Sequence, residues 1–198
     1  MTGTTQQPAP RRVRVDARRN SAALLEAAKA VFASSGVDAP AKEITDLAGV
    51  GVGTLYRHFP LRSDLVKAVL EHEVDGCIEA APLLAAANEP VMALAKWLTL
   101  YTVFVATKRG LAAALHSGDP AFDGLPQFML ERLGPALETL MDAAIASGDI
   151  RSGTSADDLL RAVAHLCVPG AGEAADFSQR MIGLLLDGLR FGATGWAR

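Results

Sequence analysis

The sequence predicts an all-α chain, and three observations carry that expectation. Of 198 residues, 36 are Ala and 26 are Leu, two of the strongest helix formers. Apolar residues recur at three- and four-residue spacing along most of the chain. No run of alternating apolar and polar residues gives a strand signal of weight. Half of the residues are hydrophobic and 21% are charged, which is enough to bury a core in one large domain or two small ones.

The elements follow in order. Residues 1–15 hold Thr, Gln, Pro and Arg without periodicity and are expected to form a flexible basic arm carrying Arg11, Arg12 and Arg14. Leu24, Leu25, Ala28, Val31 and Phe32 then repeat at helical spacing, and Gly36 supplies a stop. Two short helices come next. Ile44, Leu47 and Ala48 mark one face of the first, Gly49-Val50-Gly51 makes a turn, and Leu55 and Phe59 face inward on the second, which Pro60 ends. A longer helix carries Leu65, Val66, Val69, Leu70, Val74, Cys77 and Ile78 in one stripe, with Pro82 expected to close it. Further helices are expected over about 91–108, 111–116, 125–147 (bent at Gly134-Pro135), 155–168 and 175–191, for about nine in all. Ser155 has the place of an N-cap ahead of Asp157 and Asp158.

Charge is unevenly distributed. Residues 1–67 hold 10 Lys and Arg against 6 Asp and Glu, a balance of +4, whereas residues 68–198 hold 9 against 16, a balance of −7. Chance clustering would give the same figures as a polyanion partner for the first part alone. Cys77 and Cys167 are far apart and form no metal knuckle or disulfide framework. The uncharged stretch from Trp97 to Thr107 is too short for a bilayer, which needs roughly 20 residues. No apolar run follows the N-terminal arginines. A cytoplasmic protein without membrane contact, cofactor or metal is the expectation.

Segment 41–59 has the mechanics of a helix-turn-helix. Two short helices share a small apolar interior, Ala48 is small where they approach, and Gly49 can take the left-handed conformation that ends the first. The second helix keeps an outer face of Val52, Gly53, Tyr56 and Arg57, which suits the major groove. Gly53 admits close backbone approach, Thr54, Tyr56 and His58 offer hydrogen bonds to phosphates, and Arg57 can fork onto guanine. Lys42 can reach a phosphate or a base edge, and Arg18 and Arg19 can clamp the backbone. A helical hairpin packed in a core would show the same periodicity.

Residues 24–70 resemble the DNA-binding domain of the TetR family of transcriptional regulators. The string from Ile44 to Phe59, ITDLAGVGVGTLYRHF, is similar without gaps to the family's I-A-x-x-A-G-V-S-x-G-T-L-Y-x-H-F. Leu25-Glu26-Ala27-Ala28, Phe32 and Gly36 match its first helix, and Leu65-Val66 and Ala68-Val69 match its fourth. Four departures stand out. Thr45 replaces a small Ala, and Gly51 replaces the Ser that caps the recognition helix. Val52 replaces a polar or basic residue and would meet a base edge through apolar contact, such as a thymine methyl. Leu61 stands where Ser or Thr caps the fourth helix, a loss that Ser63 or Asp64 can offset.

The resemblance implies a DNA-binding domain over 16–76 and a ligand-binding and dimerisation domain over 77–198. It implies a homodimer on a palindromic double-stranded DNA operator, usually a repressor, with Arg62 added to the DNA contacts named above. It also implies a dimer face on the last two helices, for which Leu159, Val163, Leu166, Met181, Leu185 and Leu189 are candidates, and a small-molecule effector. Candidate pocket liners are Trp97, Tyr101, Phe104, His116, Phe128, Met129 and His165, a set that favours an apolar or aromatic ligand. Lys108-Arg109 would suit an anionic one, or would form a solvated helix end. Ordinary core packing accounts for the same residues. Two other readings stay open: a regulator with no small-molecule ligand, and an all-α enzyme. Against catalysis, the four histidines (58, 72, 116, 165) lack H-E-x-x-H spacing, and no G-x-S-x-G or phosphate-cradling glycine loop is present.

Overall fold

The computed structural model describes residues 10–167 and 176–191, with the side chains at 10–18, 109–110 and 113 outside that set. The described residues form nine α-helices and one 3-10 turn, without a strand. They are α1 (Pro10–Ser35), α2 (Ala41–Ala48), α3 (Val52–His58), α4 (Arg62–Ala87), α5 (Pro90–Gly110), α6 (Ala112–Leu115), a turn at Pro120–Phe122, α7 (Leu125–Ala146), α8 (Ala156–Leu166) and α9 (Phe177–Arg190). The all-α expectation and the helix order hold. The ends proposed at Val168 and Ala175 lie outside the described residues.

The chain divides into two compact units. One runs to Val69 and adds Gly110–Ala121, and the other comprises Leu70–Arg109 and the chain from Phe122 on. This boundary falls within α4, seven residues before the one expected after residue 76.

In the first unit α1 packs on α2 and α2 on α3. Leu24, Ala28, Phe32, Ile44, Leu55, Phe59, Leu65 and Val66 supply its buried side chains. The helix is already formed at Pro10, so α1 takes in Arg11, Arg12 and Arg14, which the sequence reading gave to the arm. Proline has no N–H to lose in a first turn and its φ is preset for helix. Leu47 is a second correction. It is 60% exposed, while the inner face of α2 is Ile44 and Thr45. Thr45 can be buried because its hydroxyl donates to the Lys42 carbonyl at 3.1 Å.

In the second unit α7 packs on α8. The α5 residues Leu94, Trp97, Leu98, Tyr101, Phe104 and Val105 are buried, as are Leu133, Leu137 and Leu140 of α7 and Leu160 and Val163 of α8. Trp97 is fully buried and its indole N–H donates to the Cys77 carbonyl of α4 at 2.8 Å. Pro82 does not end α4, which runs on to Ala87. The Ala- and Leu-rich residues after it sustain the helix, and Asn88 Nδ2 closes it by donating to the Leu84 carbonyl at 2.9 Å. The apolar part of α5 also extends further than Trp97–Thr107. Pro90–Lys108 makes 19 residues of mean hydropathy 1.4, long and apolar enough to cross a bilayer by composition alone. Its buried stripe marks it as the core helix of this unit. Ser155 caps α8 as expected, its Oγ accepting from the Asp158 N–H at 3.0 Å.

Candidate nucleic-acid interface

The turn between α2 and α3 is fixed by backbone chemistry. Gly49 sits at φ 69°, ψ 29°, in the left-handed region where a Cβ would be strained. The Gly49 N–H donates to the Asp46 carbonyl at 3.3 Å and the Val50 N–H to the Thr45 carbonyl at 3.1 Å. That is the paired bonding of a Schellman end, and it sets the direction in which the chain leaves α2. Gly51 then adopts extended geometry and caps α3 without a side chain, its carbonyl accepting from the Thr54 N–H at 2.8 Å.

From this turn α3 presents two faces. Leu55 and, just beyond the helix, Phe59 are buried. Val52, Gly53, Tyr56 and Arg57 are exposed, and Thr54 and His58 are half-buried. The exposed set is the outer face expected from the sequence. Gly53 is informative because a Cβ built there meets nothing within 4 Å. Packing within the chain therefore does not demand a glycine, although glycine in a helix costs roughly 1 kcal/mol against Ala. The last turn of α3 carries Arg57 and His58.

The remaining candidates are placed as follows. Arg19 is exposed on α1, and the side chain of Arg18 lies outside the described residues. Lys42 is exposed but paired, its Nζ 2.7 Å from Asp46 Oδ2 one turn along α2. An exposed pair of this kind is worth only about 0.3–0.5 kcal/mol, so it does not hold Lys42 back from a phosphate.

Arg62 is placed differently from the others in this set. It is half-buried and bound to the protein itself. Its Nε donates to the Val37 carbonyl at 2.7 Å, an Nη2–H reaches the Ala39 carbonyl, and the guanidinium lies 5.1 Å from the centre of the Phe32 ring. The missing cap on α4 is replaced by Asp64, whose Oδ2 accepts from the Leu61 N–H at 3.0 Å. A cleft of about 300 Å³ lies beside these residues, with Asp38, Ala39 and Ala41 among its lining and Leu55, Tyr56, Phe59, Leu61, Arg62 and Leu65 completing it.

The candidates in the second unit and around it separate into interior and surface. Trp97, Tyr101, Phe104 and Met129 are buried, with Trp97 and Tyr101 stacked at 5.8 Å and Tyr101 and Phe104 tilted at 5.7 Å. Burial pushes the Tyr101 phenol up to about 12. Burial also lowers the Lys108 ammonium from its ordinary value. His116 and His165 are exposed, and Phe128 is 38% exposed with Arg132 over its ring. These three therefore do not line an interior with the others. Of the dimer candidates, Leu159, Val163 and Leu189 are buried within the chain and belong to its own core. Leu166 is 55% exposed, and Met181 and Leu185 are half-buried. Leu184, in the same apolar stretch of α9, is 65% exposed. Its place in the apolar run 184–186 gave no way to tell which member faces out.

Comparison with known proteins agrees with this geometry. Residues 24–69 match the bacterial regulatory proteins of the tetR family, and residues 89–191 match the SbtR-like transcriptional regulator C-terminal domain. A TetR transcriptional regulator from Streptomyces coelicolor is 34% identical, with 87% of this chain and 99% of that one covered and a TM-score of 0.74. A TetR regulatory protein from Mycobacterium vanbaalenii is 33% identical over 90% of this chain and 99% of that one, with a TM-score of 0.69. An HTH-type transcriptional regulator of Staphylococcus aureus is 38% identical over 79 residues, a match that spans 41% of that protein's length. With both of its parts matched and its helix-turn-helix in place, the chain belongs to the TetR family and is a DNA-binding transcriptional regulator rather than an enzyme.

Proposed function

We propose that this regulator is a cytoplasmic repressor that binds a palindromic operator as a homodimer through α3 and leaves it when a small apolar or aromatic molecule binds the second unit. The observation that carries the reading is the outer face of α3. Val52, Gly53, Tyr56 and Arg57 lie exposed on a helix anchored by Leu55 and Phe59, and Gly53 has no packing reason inside the chain. Arg57 reads guanine, Val52 meets an apolar base edge, and Tyr56, Thr54, His58, Arg19 and Lys42 hold phosphates. The exposed Leu166 and Leu184 on the last two helices favour a partner copy there. The buried aromatic cluster of Trp97, Tyr101 and Phe104 would suit an aromatic effector, although packing accounts for it equally well.

Gly53→Ala tests the DNA reading. The variant should be more stable by about 0.5–1 kcal/mol in denaturant melts and should bind operator more weakly. Tighter or unchanged binding would remove Gly53 from the contact face. Sedimentation should give a dimer at micromolar concentration, and a folded monomer would refute the dimer. A library compound that is the effector should raise the melting temperature and lower operator affinity, and operator should weaken its binding by the same factor, because coupling between sites is reciprocal. Absence of any such compound would favour a regulator without a small-molecule ligand.

A further inference from the structure

Arg62 lies just beyond α3, yet its guanidinium bonds carbonyls 25 and 23 residues earlier in the chain. Those carbonyls, of Val37 and Ala39, belong to the connection that leads into α2 at Ala41. Both ends of the α2–turn–α3 segment are thus pinned by one side chain, upstream at 37–39 and downstream at 62. The cleft makes this contact matter. Asp38, Ala39 and Ala41 line the same cleft as Leu55, Tyr56 and Phe59. Phe32, buried on α1, supplies the platform under the guanidinium. A planar fork with fixed donors suits this task, and an ammonium does not reproduce it.

We propose that Arg62 is a positioning residue: it clasps the two ends of the helix-turn-helix and so holds α3 in its DNA-reading pose, instead of contacting phosphate. The proposal rests on the reading of α3 as the recognition helix. Two measurements on the full chain test it, with Arg62→Lys and Arg62→Met as the variants. The first is hydrogen exchange across residues 41–58, which needs no DNA. The second is the salt dependence of affinity for an operator duplex. For a clasp, both variants should exchange about tenfold faster there, as expected for loss of hydrogen bonds from a charged donor. Both should bind more weakly, and Arg62→Met should keep the wild-type slope of log affinity against log salt. Phe32→Leu keeps the charge and removes the platform, so it should speed exchange in the same segment even if an Arg62 variant folds poorly.

The opposite pattern overturns the clasp. Arg62→Lys would match the wild type in affinity, Arg62→Met would lose about 0.9 of slope for each phosphate contact given up, and exchange would not change in any variant. If the wild type binds no duplex at all, the reading of α3 fails, while the exchange data still decide whether Arg62 clasps the segment.

Discussion

Helices α3 and α5 carry opposite kinds of information. α3 has seven residues, of which Leu55 alone is buried, and its chemistry faces outward. α5 has 21 residues and buries Trp97, Leu98, Tyr101, Phe104 and Val105 along one stripe. An exposed face built on a fixed turn shows its purpose in the identity of single residues, because packing does not explain their presence. A buried stripe has packing as a sufficient explanation, so the same residues serve a core or a ligand equally well. The DNA-binding role can therefore be read residue by residue, whereas the effector can be approached only as a class.

The sharpest test of the contrast is Trp97→Ala. The side chain is fully buried and hydrogen-bonded to the Cys77 carbonyl, so its removal should lower unfolding free energy by about 3–5 kcal/mol in denaturant melts. A loss below about 1 kcal/mol would mean that α5 is not the core helix described.

Arg57→Ala probes the other side. Arg57 is exposed on α3, so stability should stay within about 0.5 kcal/mol. Specific binding should fall by roughly 1–3 kcal/mol, more than binding to random DNA. Equal losses on both would make Arg57 a phosphate contact.

The same contrast explains what the sequence made legible. Local signals were read correctly: Gly49 for the turn, Ser155 for a cap, Leu55 and Phe59 for the inner face of α3. Errors arose where a residue's role depends on what lies across the fold. Leu47 was read as core, but Thr45 takes the inner position by satisfying its own hydroxyl. Pro82 was read as a stop, but the Ala-rich sequence after it continues the helix. The contacts of Arg62 within the chain were not legible because the carbonyls that engage it lie 23 and 25 residues away, and no periodicity reports such a distance. Leu159, Val163 and Leu189 were assigned to a partner because an apolar stripe does not say which of its residues its own chain covers.

Smaller effects sharpen the account. Ser155→Ala removes the cap on α8 and should cost about 1 kcal/mol, read as a lower melting temperature without altered sequence preference. No change would mean that the Asp158 N–H finds water equally well. Lys42→Ala breaks an exposed pair with Asp46 and should change stability by less than about 0.5 kcal/mol. It should weaken binding to operator and random DNA alike. A loss confined to one operator base pair would instead make Lys42 a base reader.

The central claim is that α3 reads DNA sequence from a two-fold symmetric protein. Selection of double-stranded DNA from a random pool by the purified protein, read by sequencing, tests it most directly. The account predicts enrichment of a palindrome whose half-sites contain a guanine that Arg57→Ala ceases to select. No enrichment at low salt, where phosphate contacts are strongest, would contradict sequence reading, and enrichment of a single asymmetric half-site would contradict the dimer.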